Sequence, residues 1–168
     1  MKVSAQEEYG LRCLLQLARL GGGESLTLAQ MAELEGISQA NAGKLLWILN
    51  KAGLVASNRG TKGGYRLARP ASEIRLSEII KMHDEDVLSS HCGSYTGVLA
   101  ACVHTGNCGI RPVIVGLQDI LQKALSNITL AQLLGNESKV ETTLHEIHAL
   151  PRHVAARREA SSDMIAKA

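Results

Sequence analysis

The sequence predicts a mainly α-helical fold carrying one small β-hairpin, and three observations predict it. Phe is absent and aromatics make up 2% of the 168 residues, so the core must be built from Leu, Ile, Val and Ala. That composition favours packed helices over a β-sandwich. Apolar residues recur at helical spacing in separate runs, most of them closed by glycine. Between these runs lies one stretch, residues 54–68, in which two short strand-like segments flank a glycine-rich turn. With 45% hydrophobic and 20% charged residues the chain is globular, which excludes disordered and collagen-like classes. No apolar run approaches the roughly 20 residues that a bilayer requires. The opening MKVSAQEEYG carries two acids and does not read as a secretory signal, so a cytoplasmic protein is expected.

The elements follow in order. Leu11, Leu14, Leu15 and Ala18 form the stripe of a first helix, which stops at Gly21 to Gly23. Thr27 and Gln30 have the spacing of a capping box opening a short second helix that ends at Gly36. Ser38 then caps a third helix with Ala42, Leu45, Leu46 and Leu49 on its buried side. Two helices joined by a tight glycine turn make a helix-turn-helix. At 100° per residue, Ala40, Gly43, Lys44, Trp47 and Lys51 face away from the stripe, as the outer face of a groove-reading helix would. Trp47 either packs under the following hairpin or against another chain, or touches DNA.

Leu54 to Asn58 and Tyr65 to Ala68 read as strands, with Gly60 to Gly64 as their turn and Arg59 and Lys62 at its tip. A basic hairpin after a helix-turn-helix is a wing, whose arginine can enter a narrow minor groove. Residues 38–75 hold seven bases against Glu73 alone, a net of six positive charges, whereas residues 76–109 carry a net of three negative. Such a segment is either a solvated face or the site of an anionic partner, and the preceding helices point to double-stranded DNA. Ser38, Asn41 and Arg59 are candidates for base or groove readout, and Lys44, Lys51 and Lys62 for phosphate contacts.

Three of the four cysteines share one loop, with nine residues between Cys92 and Cys102 and five between Cys102 and Cys108. Clustered thiols without a secretory context favour metal or redox chemistry over disulfides. Thiolates select zinc, copper(I) or iron–sulfur clusters. Neither spacing is the two-residue knuckle of structural zinc, and longer gaps suit a bulkier group with glycine-turn amides aimed at sulfide. Cys13, inside the first helix, reads as a small buried hydrophobe.

After the loop, Pro112 sits in a first helical turn. Ile110, Val113, Ile114, Leu117, Leu121, Ala124 and Leu125 then line one face of a long helix, which serves either the chain's own core or an antiparallel contact with a second copy. Thr129 and Gln132 cap a further short helix before Gly135, and an amphipathic tail follows. The expected organisation is a winged helix-turn-helix DNA-binding domain (1–75), a cysteine loop with dimerisation helix (76–138) and a C-terminal tail (139–168).

Together these residues resemble the IscR/NsrR/RirA-type family of winged-helix iron–sulfur transcription regulators. The resemblance runs from Met1 to about Gly135, on MKVSAQEEYGLRCLLQLA, the EGIS turn, KAGLVASNRGTKGGYRLAR, LSEII, the cysteine triad and NITLAQLL. It implies a homodimer with crossing long helices, a palindromic operator, an iron–sulfur cluster of two or four irons on Cys92, Cys102 and Cys108, and operator affinity controlled by cluster state. Some relatives use a histidine three residues after the last cysteine, a position that is Arg111 here. Others use an acid near the start of the first helix. Glu8 matches it, with Glu7 and His104 as rivals, and its place three residues before Leu11 predicts an inward-pointing carboxylate. A zinc-stabilised winged-helix scaffold without sensing function is the alternative. No nucleotide loop or nucleophile–base arrangement suggests an enzyme.

Overall fold

The computed structural model describes residues 3–21, 24–58, 63–80 and 102–148. The chain divides into two compact units, residues 1–134 and residues 135–168.

The first unit opens with α1 (Ala5–Arg19), capped by a reciprocal pair: the Glu7 backbone N–H donates to Ser4 Oγ, and the Ser4 backbone N–H donates to Glu7 Oε2 at 2.7 Å. Thr27 and Gln30 make the same box at the start of α2 (Leu28–Glu35), as their spacing predicts. Gly36, at φ 63°, closes α2 in the left-handed conformation that spares a Cβ clash. Ser38 Oγ accepts the Asn41 N–H and starts α3 (Gln39–Lys51). Ala42, Leu45, Leu46 and Leu49 of α3 are buried with Leu14, Leu17 and Met31, so the apolar stripes of the three helices meet in one core. The Gln16 amide donates to Glu35 at 2.6 Å and ties α1 to α2.

Strands β1 (Val55–Asn58) and β2 (Gly64–Leu67) pair antiparallel, with Val55 opposite Leu67 and Asn58 opposite Gly64. β2 also bridges to the segment before α2, where Leu26 and Tyr65 exchange both backbone hydrogen bonds at 3.0 and 2.8 Å. That crossing requires glycine at 64, because a Cβ there would lie 2.8 Å from the Leu26 carbonyl oxygen. Gly64→Ala is therefore expected to cost about 1–3 kcal/mol, as overpacking against backbone does. A urea midpoint equal to that of the parent would show that the bridge to Leu26 does not hold the wing.

Beyond the hairpin, a short 3-10 turn (Ala71–Glu73) leads to α4 (Leu76–Ile80). A long helix, α5 (Ile110–Ser126), and a second 3-10 turn (Leu130–Leu133) complete the unit. Leu76 N–H donates to Ile128 C=O and Leu130 N–H to Ile74 C=O, both at 2.9 Å, so the chain returns after α5 to pair with residues 74–76. Ile74 and Leu130 are fully buried in the core of the first three helices. The expected boundary at residue 75 thus runs through a short backbone ladder whose long-range pairing no local pattern announces. The second unit contains α6 (Glu137–His148), which starts two residues earlier than the expected tail and whose Lys139 N–H is capped by Asn136 Oδ1. No helix among the described residues is long and apolar enough to cross a membrane.

Candidate DNA interface and cysteine site

The outward side of α3 is built by its own cap and stripe. With Ala42, Leu45, Leu46 and Leu49 turned inward, Gln39, Ala40, Asn41, Lys44, Trp47 and Lys51 are exposed. Gly43 departs from expectation: it is half-buried, with its Cβ position 3.8 Å from Leu28, and so faces α2. The Ser38 hydroxyl oxygen is engaged as the cap, which leaves its O–H as the group free to donate outward. Trp47 is not part of the core. It is 57% exposed, with Lys51 Nζ 4.2 Å from its ring centroid. Arg59 and Lys62, at the tip of the hairpin, lie outside the described residues.

The basic balance of residues 38–75 is smaller at the surface than in the sequence. Arg69 pairs with Glu78 and also donates to the Gly53 carbonyl at 3.3 Å, so it braces the hairpin against α4. Glu78 also accepts the Arg75 N–H at 2.8 Å. Although partial burial opposes it, the hydrogen bonds from Arg75 and Arg69 hold this carboxyl below its ordinary range.

Cys102 and Cys108 are free, half-buried thiols at the two ends of a turn segment. The Cys102 carbonyl accepts from the Thr105 N–H at 3.0 Å and its hydroxyl at 2.7 Å. Gly106, at φ 90°, supplies the left-handed residue the segment needs. Cys108 stands just before α5, where the Arg111 and Ile110 backbone N–H groups and the Arg111 charge lower its pKa. The third cysteine of the triad, Cys92, lies outside the described residues. Two accessible sulfurs, one of them favoured as thiolate, form a soft donor set that fits a thiophilic iron or zinc centre. Among the described residues alone, no group of three ligands converges.

Glu8 corrects an expectation. It points outward rather than inward, and its carboxylate takes Arg12 at 2.6 Å in an exposed i,i+4 pair. The inward acid is Glu7, only 8% exposed because the capping box folds it back onto Ser4. His104 is exposed.

Cys13 is fully buried, and burial first, with the nearby Glu35 charge second, pushes its pKa up to about 12. It therefore stays a protonated, unreactive thiol near neutrality. In metal-free protein, Cys102 and Cys108 are expected to react with a disulfide reagent at once and Cys13 only on unfolding. A Cys13 that reacts as fast as the others would contradict its burial.

The long helix presents the other exposed feature. Ile110, Val113, Leu117 and Ile120 are each 60–69% exposed, and no residue of α5 is buried. Among the described residues, the stripe is therefore not part of the buried core. Ile120 belongs to this outer seam by its spacing from Val113 and Leu117, while Ile114, Leu121 and Leu125 turn half inward. The other functional feature hidden from sequence reasoning is the ladder that pins the end of α5. The Trp47–Lys51 contact had a signal, since the two stand at i,i+4.

A capped helix-turn-helix, an antiparallel hairpin after it and a lysine-bearing outer face on the second helix define a winged-helix DNA-binding transcription regulator. The chain belongs to the Rrf2 family, iron-dependent transcriptional regulators, which it matches over residues 3–136. It is 31% identical over 153 residues to the HTH-type transcriptional regulator IscR of Escherichia coli, covering 90% of this chain and 92% of that one. Among solved structures it is similar to IscR of T. potens, with TM-score 0.61 and 30% identity over 80% of this chain and 86% of the other. The oxidised form of CymR from Staphylococcus aureus gives TM-score 0.61 and 28% identity over 81% and 98%. The mainly α fold with one small hairpin is thus the family's own, and these relatives are regulators rather than enzymes.

Proposed function

We propose that this chain is a cytoplasmic, homodimeric repressor that binds a palindromic operator and adjusts its affinity to the state of an iron–sulfur cluster. Cys92, Cys102 and Cys108 would hold the group, with Glu8 as fourth ligand. Glu8 suits that role better than Glu7, because Glu7 is committed to its cap while Glu8 is held only by an exposed pair with Arg12, a kind that contributes little. When bound, the group supplies a centre that reacts with oxidants and nitric oxide and is lost when iron is scarce.

One observation carries the reading. Cys108 stands one residue before the Gly109 cap of α5, and the segment just after α5 is hydrogen-bonded into the core that positions α3. A helix of 17 residues is a rod of roughly 25 Å. Constraint or release of the cysteine segment therefore acts on a stiff element whose other end is fixed to the DNA-binding unit. The exposed seam of α5 supports pairing with a second copy, which would set the separation of two α3 helices to match two half-sites.

Binding to a two-half-site duplex selected from random sequence tests the interface. Lys44→Ala is expected to weaken binding for all sequences and to reduce the salt slope by about one, as loss of a phosphate contact does. Arg59→Ala should reduce discrimination between selected and scrambled DNA by about 1–3 kcal/mol. If both variants bind and discriminate as the parent does, α3 and the wing are not the DNA-binding surface.

A further inference from the structure

Trp47 is the single tryptophan of the chain, and it stands more than half exposed on the outer side of α3. It belongs neither to the core nor to the residues packed on it. Tryptophan, with an apolar body and one polar N–H, is enriched where a surface meets a partner. Its contact is Lys51, one turn on, with Nζ 4.2 Å from the ring centroid. Lys44 stands one turn before it on the same exposed side. The ring thus carries one ammonium group over it and has a second lysine one turn away on the same exposed side.

We propose that Trp47 and Lys51 form a two-part clamp on the DNA backbone, in which the indole lies against a deoxyribose and the Lys51 ammonium donates to the neighbouring phosphate. The inference rests on the proposed DNA-binding function and deepens it. A lysine side chain is a flexible, strongly hydrated point charge. Held over the ring, Lys51 is restricted before DNA arrives, so less freedom is lost on binding. The ring face attracts the cation without using up its N–H donors, which stay available to phosphate oxygens. Charge selects the occupant. Two copies of the chain meeting through this face would press Lys44 and Lys51 against their twins, whereas an anionic backbone gains from both. Trp47 is a positioning residue here: it sets where the ammonium sits and covers the sugar beside it.

The sole indole makes its own probe. With the full chain purified without oxygen, operator duplex is expected to reduce acrylamide quenching of the tryptophan emission severalfold. Trp47→Ala should weaken operator and random DNA alike by about five- to tenfold, and Trp47→Phe, which keeps a ring face, should restore most of the loss. Lys51→Gln should lower the salt slope by about 0.9. In that background Trp47→Ala should cost much less than it does alone, because the two act together. Thermal unfolding of each variant checks that the exposed substitutions leave the fold intact. If the parent binds DNA while its indole stays equally open to acrylamide, or if the two substitutions simply multiply, the clamp is overturned and the proposed function stands. An indole already shielded in DNA-free protein would assign the ring to a subunit contact and overturn the clamp as well. If the parent binds no duplex at any salt, the proposed function and the clamp fall together.

Discussion

Cys102→Ala, purified without oxygen, is expected to be colourless where the parent absorbs in the visible range, and to differ from it about 5- to 150-fold in operator affinity. The first part follows from the donor set. Removing one of three thiolates leaves only Cys92 and Cys108, too few soft ligands to retain a cluster even with Cys108 favoured as thiolate. The second part follows from the usual size of coupling between two sites, about 1–3 kcal/mol. It requires that the cysteine segment be mechanically joined to the DNA-binding unit. That joint is α5, entered from Cys108 through Gly109 and pinned just past its far end by the Leu76–Ile128 and Leu130–Ile74 hydrogen bonds. Cys13→Ala is the matching control. Cys13 is buried in the core, so its loss should lower stability and leave colour and coupling in place. A Cys102→Ala protein with the parent's spectrum and affinity would remove this segment from the sensing role.

The second large effect is expected from Val113→Asp combined with Leu117→Asp. Both side chains are about 60% exposed on the outer seam of α5, so the double variant should fold with the thermal stability of an isolated chain. A carboxylate pair placed in a shared apolar seam is costly to bury, and the dimer should dissociate. A monomer engages one half-site at a time and forfeits the gain of linked binding, which is typically 100-fold or more. Sedimentation should therefore report a single chain, and affinity for the two-half-site duplex should fall at least about a hundredfold while affinity for one half-site changes little. A variant that remains dimeric would place the subunit contact away from this seam.

Much of the DNA-binding unit was legible in the sequence because its determinants are local. Capping boxes at Ser4 and Thr27 were written in residues three apart, of which the second was recognised, and the stripe of α3 lies within one helix. Gly36 marked its turn for the same reason. What was not legible depends on distant partners. The pairing of residues 74–76 with 128–130 joins segments more than fifty positions apart, and only the buried Ile74 and Leu130 explain it. Periodicity announced an apolar face on α5 without saying what covers it, and among the described residues α5 contributes none to the buried core. Glu7 and Glu8 are a further case. Neighbours on a helix point about 100° apart, and the capping chemistry of Ser4 decided which of them turned inward. Arg69 counted toward a basic surface, yet its bonds to Glu78 and Gly53 give it a structural duty.

We propose that cluster chemistry at Cys92, Cys102 and Cys108 changes how tightly the α3 and wing surface grips DNA. One sample tests it most directly: protein isolated without oxygen, its iron, sulfide and zinc quantified with Mössbauer and visible spectra, and its operator affinity measured before and after oxidation. The expected result is iron with matching sulfide and an affinity that changes as the spectrum bleaches. Colourless protein with stoichiometric zinc, binding the same duplex equally in both states, would contradict it.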